Sequence, residues 1–490
     1  MGPKRKSLKL NMVLNAIKGL SGIIFPLITF PYISNVLGVE NLGRYNFANS
    51  IISYFVLFAG LGISTYAVRE GARIREDRYK IECFSNEMLS ISLCSTILSY
   101  IVLYIFLLII PRFYNDRVLL IIFSLQIIFK TIGVEWIYSI FEDYTYITIR
   151  SVVFQVISLV LLFLLVKTES DVYMYVMITI FSGVGSNVLN YIHSRKYCKL
   201  SIVRKIEWRK HLKPVLILFT MTATVTIYVS SDVTILGFLC DNYTVGIYSV
   251  SMKVYATIKT ILSSILVVSI PRFSALLGKN DHKEFNSTAD DIYKTLITLV
   301  LPVIVGIIVL KKETVLLLSS GEYLSATSSL VLLSIALFFC MGAWFWGQCI
   351  LVPFKMENTL FKVTVVSALA NVALNFIMIP VWKENAAAIT TIVAEGISFV
   401  WCSIVGRRQI QIRGLLKHYL KVILGCFTII VVGLVVHALG LPNNINILLI
   451  IPISITLYVF TEIGLKNKSI INIIHSIFKT PVYNFLTFEK

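Results

Sequence analysis

No stretch of this chain is polar for long enough to make a soluble domain. Only 14% of its 490 residues are charged and 57% are hydrophobic, where an ordinary soluble chain carries about 25% charged and roughly 45–50% apolar residues. The eight cysteines lie singly with no CxxC pair, which excludes a thiolate metal site or a disulfide framework. The six histidines show neither HExxH nor HxH spacing, so no metal centre is expected. There is no P-loop, and the chain is not expected to hydrolyse ATP itself. No Ser/His/Asp grouping or carboxylate pair stands where a catalytic site requires it, so neither an enzyme nor a cofactor is expected. A cleavable leader is not expected either, because the segment after Lys6 runs on as a full span with no early small-residue cleavage site.

Acidic residues are scarce as well, 26 against 44 Lys and Arg, for a net charge of +18. In a soluble protein that excess would point to nucleic acid. Here most of the bases sit in loops between apolar runs, where the positive-inside rule already places them. Nucleic acid is therefore not an expected partner.

What the chain does have is apolar runs of the length that a helix needs to cross about 30 Å of hydrocarbon. The spans read as 11–36, 45–68, 83–110, 118–140, 151–166, 172–193, 214–239, 245–271, 291–310, 325–352, 359–380, 386–405, 418–439 and 447–465. The fifth reads short, and its helix is expected to begin near Asp143 with Arg150 inside it. Lys and Arg crowd alternate loops, at 69–80, 195–213, 407–413 and the tail from Lys466, while the loops at 240–244 and 440–446 have none. That alternation fixes an even number of spans with both termini in the cytoplasm. The longest basic linker, residues 194–213, spaces Leu200, Val203 and Ile206 as an apolar face. That pattern predicts a short helix lying on the anionic inner leaflet, in contact with membrane lipids.

Two segments of the second half echo the first. Gly43 and Tyr45 align with Gly246 and Tyr248, and Thr148, Ser151 and Gln155 align with Thr364, Ser367 and Asn371. The copies lie six spans apart, which makes the repeat parallel, with an axis along the membrane normal. The expected architecture is all-α and integral to the membrane, with about fourteen transmembrane helices. Two six-helix lobes, 1–193 and 214–405, would be joined by the linker 194–213 and face each other across a cavity. Residues 406–490 add two further spans and a tail.

Polar groups within spans are costly in lipid and need water or partners. The seventh span carries Thr220, Thr222, Thr224, Thr226, Ser230, Ser231 and Asp232, and the eighth a stripe of Ser249, Lys253, Thr257, Thr260 and Ser264. Asn371 and Asn375 share a face of the eleventh. With Lys259, Lys18, Lys130, Arg69, Arg150 and Arg272, bases dominate the expected lumen. Such a lining suits a phosphate-bearing substrate, because guanidinium forks match phosphate oxygens. The acidic residues in or beside spans, Glu135, Glu142, Asp143, Asp232 and Glu395, are either counter-ions or proton-coupling sites.

The segments FPLITFPYISNVLG at 25–38, NFANSIISYFVLFAGLGISTYAVRE at 46–70 and EWIYSIFEDYTYITIRS at 135–151 resemble a known family. So do SSDVTILGF at 230–238, VGIYSVSMKVYATIKT at 245–260, SIPRFSALLG at 269–278, NVALNFIMIP at 371–380 and AAAITTIVAE at 386–395. Together they resemble a Wzx-type polysaccharide flippase of the multidrug/oligosaccharidyl-lipid/polysaccharide exporter superfamily. The resemblance implies fourteen helices in two lobes and transfer of undecaprenyl-diphosphate-linked oligosaccharide repeat units across a bacterial cytoplasmic membrane. It also implies alternating access, with a polymerase and other polysaccharide-assembly proteins as partners. Carried over residue by residue, it marks Arg69, Glu135, Arg150, Asp232, Lys253, Lys259 and Arg272. The polar stripe adds Asn371 and Asn375 for substrate, and Glu135, Glu142 and Glu395 are candidates for ion coupling. One departure is visible: Asn35 and Val39 stand where the family often has Arg and Pro, and Arg44 is the nearest substitute.

Two alternatives stay open. One is a lipid II flippase or other exporter of the same superfamily. The other is a membrane polymerase or ligase of lipid-linked glycans, which calls for a large catalytic outer loop. The longest here, about 311–324, is short.

Overall fold

The computed structural model describes residues 8–279 and 281–483, and every regular element among them is helical. That follows from the composition: with no water in the hydrocarbon, each apolar segment must satisfy its backbone internally. The helices are α1 (Leu8–Gly60), α2 (Ile63–Ile74), α3 (Arg78–Ile109), α4 (Arg117–Ile132), α5 (Glu135–Ile140) and α6 (Tyr144–Leu165). They continue with α7 (Val172–Ile180), α8 (Asn187–Ser194), α9 (Trp208–Leu239), α10 (Asn242–Gly278), α11 (His282–Val309) and α12 (Lys311–Leu318). The last are α13 (Ala326–Trp344), α14 (Glu357–Gly406), α15 (Leu415–Ala438), α16 (Asn443–Gly464) and α17 (Lys468–Tyr483).

Among the described residues, twelve segments are long and apolar enough to cross a membrane. Two of them, Ile24–Ile74 and Glu357–Gly406, run 51 and 50 residues, about 75 Å at the helical rise and more than twice the hydrocarbon thickness. Each is broken, at Gly38 with φ 72° and at Lys383 with φ 46°. Counting each as two gives the fourteen crossings that the apolar runs predict. The fifth begins at Tyr144, with Arg150 two turns in, as expected.

The chain divides into two compact units, Met1–Ser249 and Val250–Lys490. In the first, α1 packs on α3, α4, α6 and α9. Its contact with α9 is close: a Cβ on Gly237 would fall 2.0 Å from the Phe47 ring. A second cluster gathers Tyr66, Met88, Trp136, Tyr138 and Val215. In the second unit, α13 lies along α14, where Gly406 gives Trp346 its space, and α11 carries α15 and α16. Thr298 of α11 ties that group together. Its carbonyl accepts from the Tyr458 hydroxyl at 2.7 Å, and its hydroxyl lies 3.0 Å from His418 Nε2.

One expectation fails. The linker does not form a surface helix: residues 198–207 are irregular, and α9 starts at Trp208. The cause is non-local. The Ser201 amide donates to Asn86 Oδ1 at 2.7 Å and the Val203 amide to Ser90 Oγ at 2.9 Å. Side chains of α3 thus take the donors that a helix would use. Leu200 and Ile206 pack on the cluster of the first unit instead of on lipid, and burial pushes the Cys198 thiol up to about 11.

Candidate functional site

In the first unit the α4–α5 junction opens a polar cavity within apolar helices. Gly133 ends α4, and Val134 takes φ 38° before α5 starts. Asn187 secures the break: its Nδ2 donates to the Phe129 carbonyl at 3.0 Å. On the facing helix the chain breaks again at Leu61 and Gly62, with φ 41° and 71°. Between these breaks lies a cavity of about 370 Å³ whose lining includes Ser64, Thr65, Lys130, Glu135, Trp136 and Thr222.

Glu135 faces two ways. It lines the cavity, and its Oε1 lies 3.2 Å from Nη2 of Arg150. Arg150 is only 7% exposed, and its Nη1 donates to the Ser186 carbonyl at 3.0 Å, at the end of the π-helical turn Phe181–Gly185. A guanidinium two turns inside an apolar helix is thus neutralised by a carboxylate that also reaches the cavity. Glu142 belongs elsewhere: it pairs with Arg75 at 2.7 Å. Asp232 is buried and accepts from the Tyr248 hydroxyl at 2.9 Å. The α9 threonines donate to the carbonyls four residues earlier, which lets them line a helix without leaving a donor unmet.

The other end of this unit is tied shut by charge. Asp116, whose side chain is fully buried, meets Arg44 at 2.7 Å and Arg112 at 3.3 Å. Arg112 also donates to the Gly237 carbonyl at 2.7 Å and to Asn242. Arg44, singled out as a substitute base, is therefore committed to this cluster.

In the second unit, Lys259 lies 3.5 Å from Glu395, which also accepts from the Tyr255 hydroxyl at 3.2 Å. Lys253, six residues earlier on α10, is half-buried. Asn371 and Asn375 are buried and bonded to each other and to Thr390. They clamp the two arms of α14 together. Arg272 is exposed beside Glu284, and Arg69 is exposed beside Glu70. The Lys18 side chain lies outside the described residues. No group of three or more His, Cys, Asp or Glu residues suited to a metal occurs among the described residues.

The structure therefore brings Glu135 and Arg150 together in one unit, and Lys259 and Glu395 in the other. Two features escaped the sequence reading. Trp136 and Ser64 line the cavity, and the signal for them was the pair of breaks at 60–62 and 133–134 inside apolar runs. Asp116, at a span end, looked like an ordinary loop residue.

The sequence pattern of a family described as polysaccharide biosynthesis protein matches residues 8–277. "Putative O-antigen transporter" from Escherichia coli (strain K12) is 22% identical over 399 residues, 81% of this chain and 95% of that protein. "Capsular polysaccharide biosynthesis protein CapF" from Staphylococcus aureus is 22% identical over 372 residues, 74% of this chain and 89% of that one. Among solved structures, lipid II flippase MurJ in an inward closed conformation superposes with a TM-score of 0.73 at 17% identity. It covers 93% of this chain and 100% of its own, so the two share a fold.

Proposed function

The chain belongs to the polysaccharide biosynthesis protein family, and on that premise we propose that it is a flippase for undecaprenyl-diphosphate-linked oligosaccharide repeat units. It carries them from the inner to the outer leaflet of a bacterial cytoplasmic membrane by alternating access, with both of its termini in the cytoplasm. The observation that carries this reading, beside the family, is a set of bases and hydroxyls held inside apolar helices. Lys130 and Glu135 border the polar cavity, Arg150 backs Glu135, and Lys253 and Lys259 sit on α10. A diphosphate and its sugars cannot enter hydrocarbon unaided, since each charge there costs several kcal/mol. The polyprenyl chain can stay in lipid throughout. Lysine and arginine would meet the phosphates, and Ser64, Thr65 and the α9 threonines the sugar hydroxyls.

The relatives named for O-antigen transport and capsular polysaccharide favour a repeat-unit substrate, while the shared fold with a lipid II flippase favours lipid II as the second reading. Reconstitution separates them. Proteoliposomes would be loaded with a fluorescent undecaprenyl-diphosphate oligosaccharide or with lipid II, and exposure on the outer surface followed with an impermeant glycosidase. Protein-dependent exposure of the oligosaccharide lipid supports the proposal. Exposure of lipid II alone installs the second reading, and exposure of neither rejects both.

A further inference from the structure

At one end of the second unit, the first turns of α11 and the loop between α14 and α15 enclose a cavity of about 540 Å³. Its charge is one-sided. Lys283, Arg407, Arg408 and Arg413 line it, and among the described residues Asp290 is the only carboxylate in the lining. That carboxylate is already engaged, by Lys294 and by the Arg413 amide at 3.1 Å. Among the described residues none of the four cations is paired with an acid. Like charges gathered around one concavity repel and raise the local potential for anions. Three guanidiniums are suited to phosphate oxygens in particular.

Two further observations narrow the ligand. Asn286 lines the same cavity, and its Oδ1 is enclosed with no hydrogen-bond donor among the described residues. An enclosed acceptor without a donor is costly, so a ligand carrying a hydroxyl beside its phosphate completes the site. The cavity also opens where the helices turn apolar. Val400 and Ile404 lead up to Arg407, Leu416 and Leu420 follow Arg413, and all four are more than half exposed. A basic pocket bordered by lipid-facing side chains is the setting in which headgroups bind.

We propose that this cavity holds the headgroup of an anionic lipid that bears a hydroxyl, of which phosphatidylglycerol is the simplest. The site is separate from the transport residues named above and does not depend on the identity of the substrate.

The test uses the full chain, purified and exchanged into nanodiscs or analysed as an intact complex by native mass spectrometry. Retention of phosphatidylglycerol, phosphatidic acid and phosphatidylcholine would be compared, with and without millimolar glycerol 3-phosphate. The wild type is expected to retain phosphatidylglycerol first. Arg407→Gln combined with Arg408→Gln and Arg413→Gln should weaken that retention by at least about tenfold, given the attraction each base contributes near a surface. Arg204→Gln with Lys205→Gln, on the linker, should leave it unchanged. Asn286→Leu should abolish the preference for phosphatidylglycerol over phosphatidic acid. If the triple variant does not purify, single substitutions at Lys283 and Arg408 must each weaken retention by a smaller factor. Equal retention by the wild type and these variants overturns the site. Displacement of the lipid by glycerol 3-phosphate assigns the cavity to a soluble phosphate and overturns the lipid proposal.

Discussion

Gly43 of α1 and Gly246 of α10 face each other at backbone distance: a Cβ on Gly43 would lie 2.9 Å from the Gly246 nitrogen. The same atom would fall 1.8 Å from the Asn242 carbonyl oxygen, and a Cβ on Gly246 would fall 2.1 Å from that of Val39. Both lie in the first compact unit, and they are the two glycines that the sequence repeat aligns. In a bilayer, helices gain little from burying apolar surface against one another and associate through close packing, which small residues permit. Here the repeat supplies the same small residue to both sides of one contact.

Alanine at either position should therefore destabilise the protein. Neither side of the contact is a flexible side chain, so the backbone itself must shift. The expected cost is about 1–3 kcal/mol, the usual range for overpacking. Thermal unfolding in detergent checks it, with Gly306→Ala as the control, because nothing lies within 4 Å of that position. A melting temperature unchanged at Gly43 and Gly246 would mean that the contact is not held closed.

Asp116 should matter more than either arginine it holds. Its side chain is fully buried and serves Arg44 and Arg112 at once, so Asp116→Ala removes both pairs, and the loss should be about 3 kcal/mol. Arg112→Ala also forfeits the bonds to Gly237 and Asn242, and should rank second. Arg44→Ala should rank last. Unfolding midpoints of the three variants give the order directly, and a larger loss from Arg44 than from Asp116 would contradict it.

The spans and their kinks were unequally legible. Apolar length carries the spans, because backbone satisfaction in lipid is a local demand, and even the start of α6 near Asp143 could be read. The linker could not. Its apolar spacing suits a helix, but Asn86 and Ser90 on α3 take its amides, and nothing within residues 194–213 encodes that. The same limit applies to the site. Sequence shows which span a polar residue occupies, not whether its partner is water or a neighbouring helix. Asn371 and Lys253 look alike as polar positions in apolar runs, yet the first is locked to Asn375 and Thr390 while the second is half-buried on α10. Sequence places Arg150 among the bases of the expected lumen without showing its neighbour, which is Glu135.

Orientation is open to direct labelling. In a cysteine-free background, a cysteine at Ile202, which is well exposed in the linker, should react with an impermeant thiol reagent only after the membrane is opened. One at Asn443, the first residue of α16 beside a loop that carries no basic residue, should react in intact cells. The motive is the charge asymmetry of the loops. The reverse pattern would invert the topology and place the termini outside.

The last prediction separates bases that hold the fold from bases that meet substrate. Arg150 is buried against Glu135 and the Ser186 carbonyl, and removing one partner of such a pair leaves the other uncompensated in a low-dielectric setting. Arg150→Met should therefore lower the amount of protein in the membrane, and adding Glu135→Leu should restore much of it. Lys130 lines the cavity and Lys253 is half-buried on α10, so both are placed to meet a substrate. Lys130→Ala and Lys253→Ala should leave abundance within about twofold of wild type while reducing glycan export, and Lys253→Arg should retain much of it, because a guanidinium can still meet phosphate. Immunoblots of membranes and quantitation of surface glycan read the two effects independently. The double variant carries the decision about Arg150: if Glu135→Leu restores abundance and export together, Arg150 is part of the scaffold. If it restores abundance alone, the Arg150–Glu135 pair takes part in transport, with Glu135 handing its partner from guanidinium to cavity during the cycle. Normal export by both lysine variants would remove the cationic lining from the mechanism.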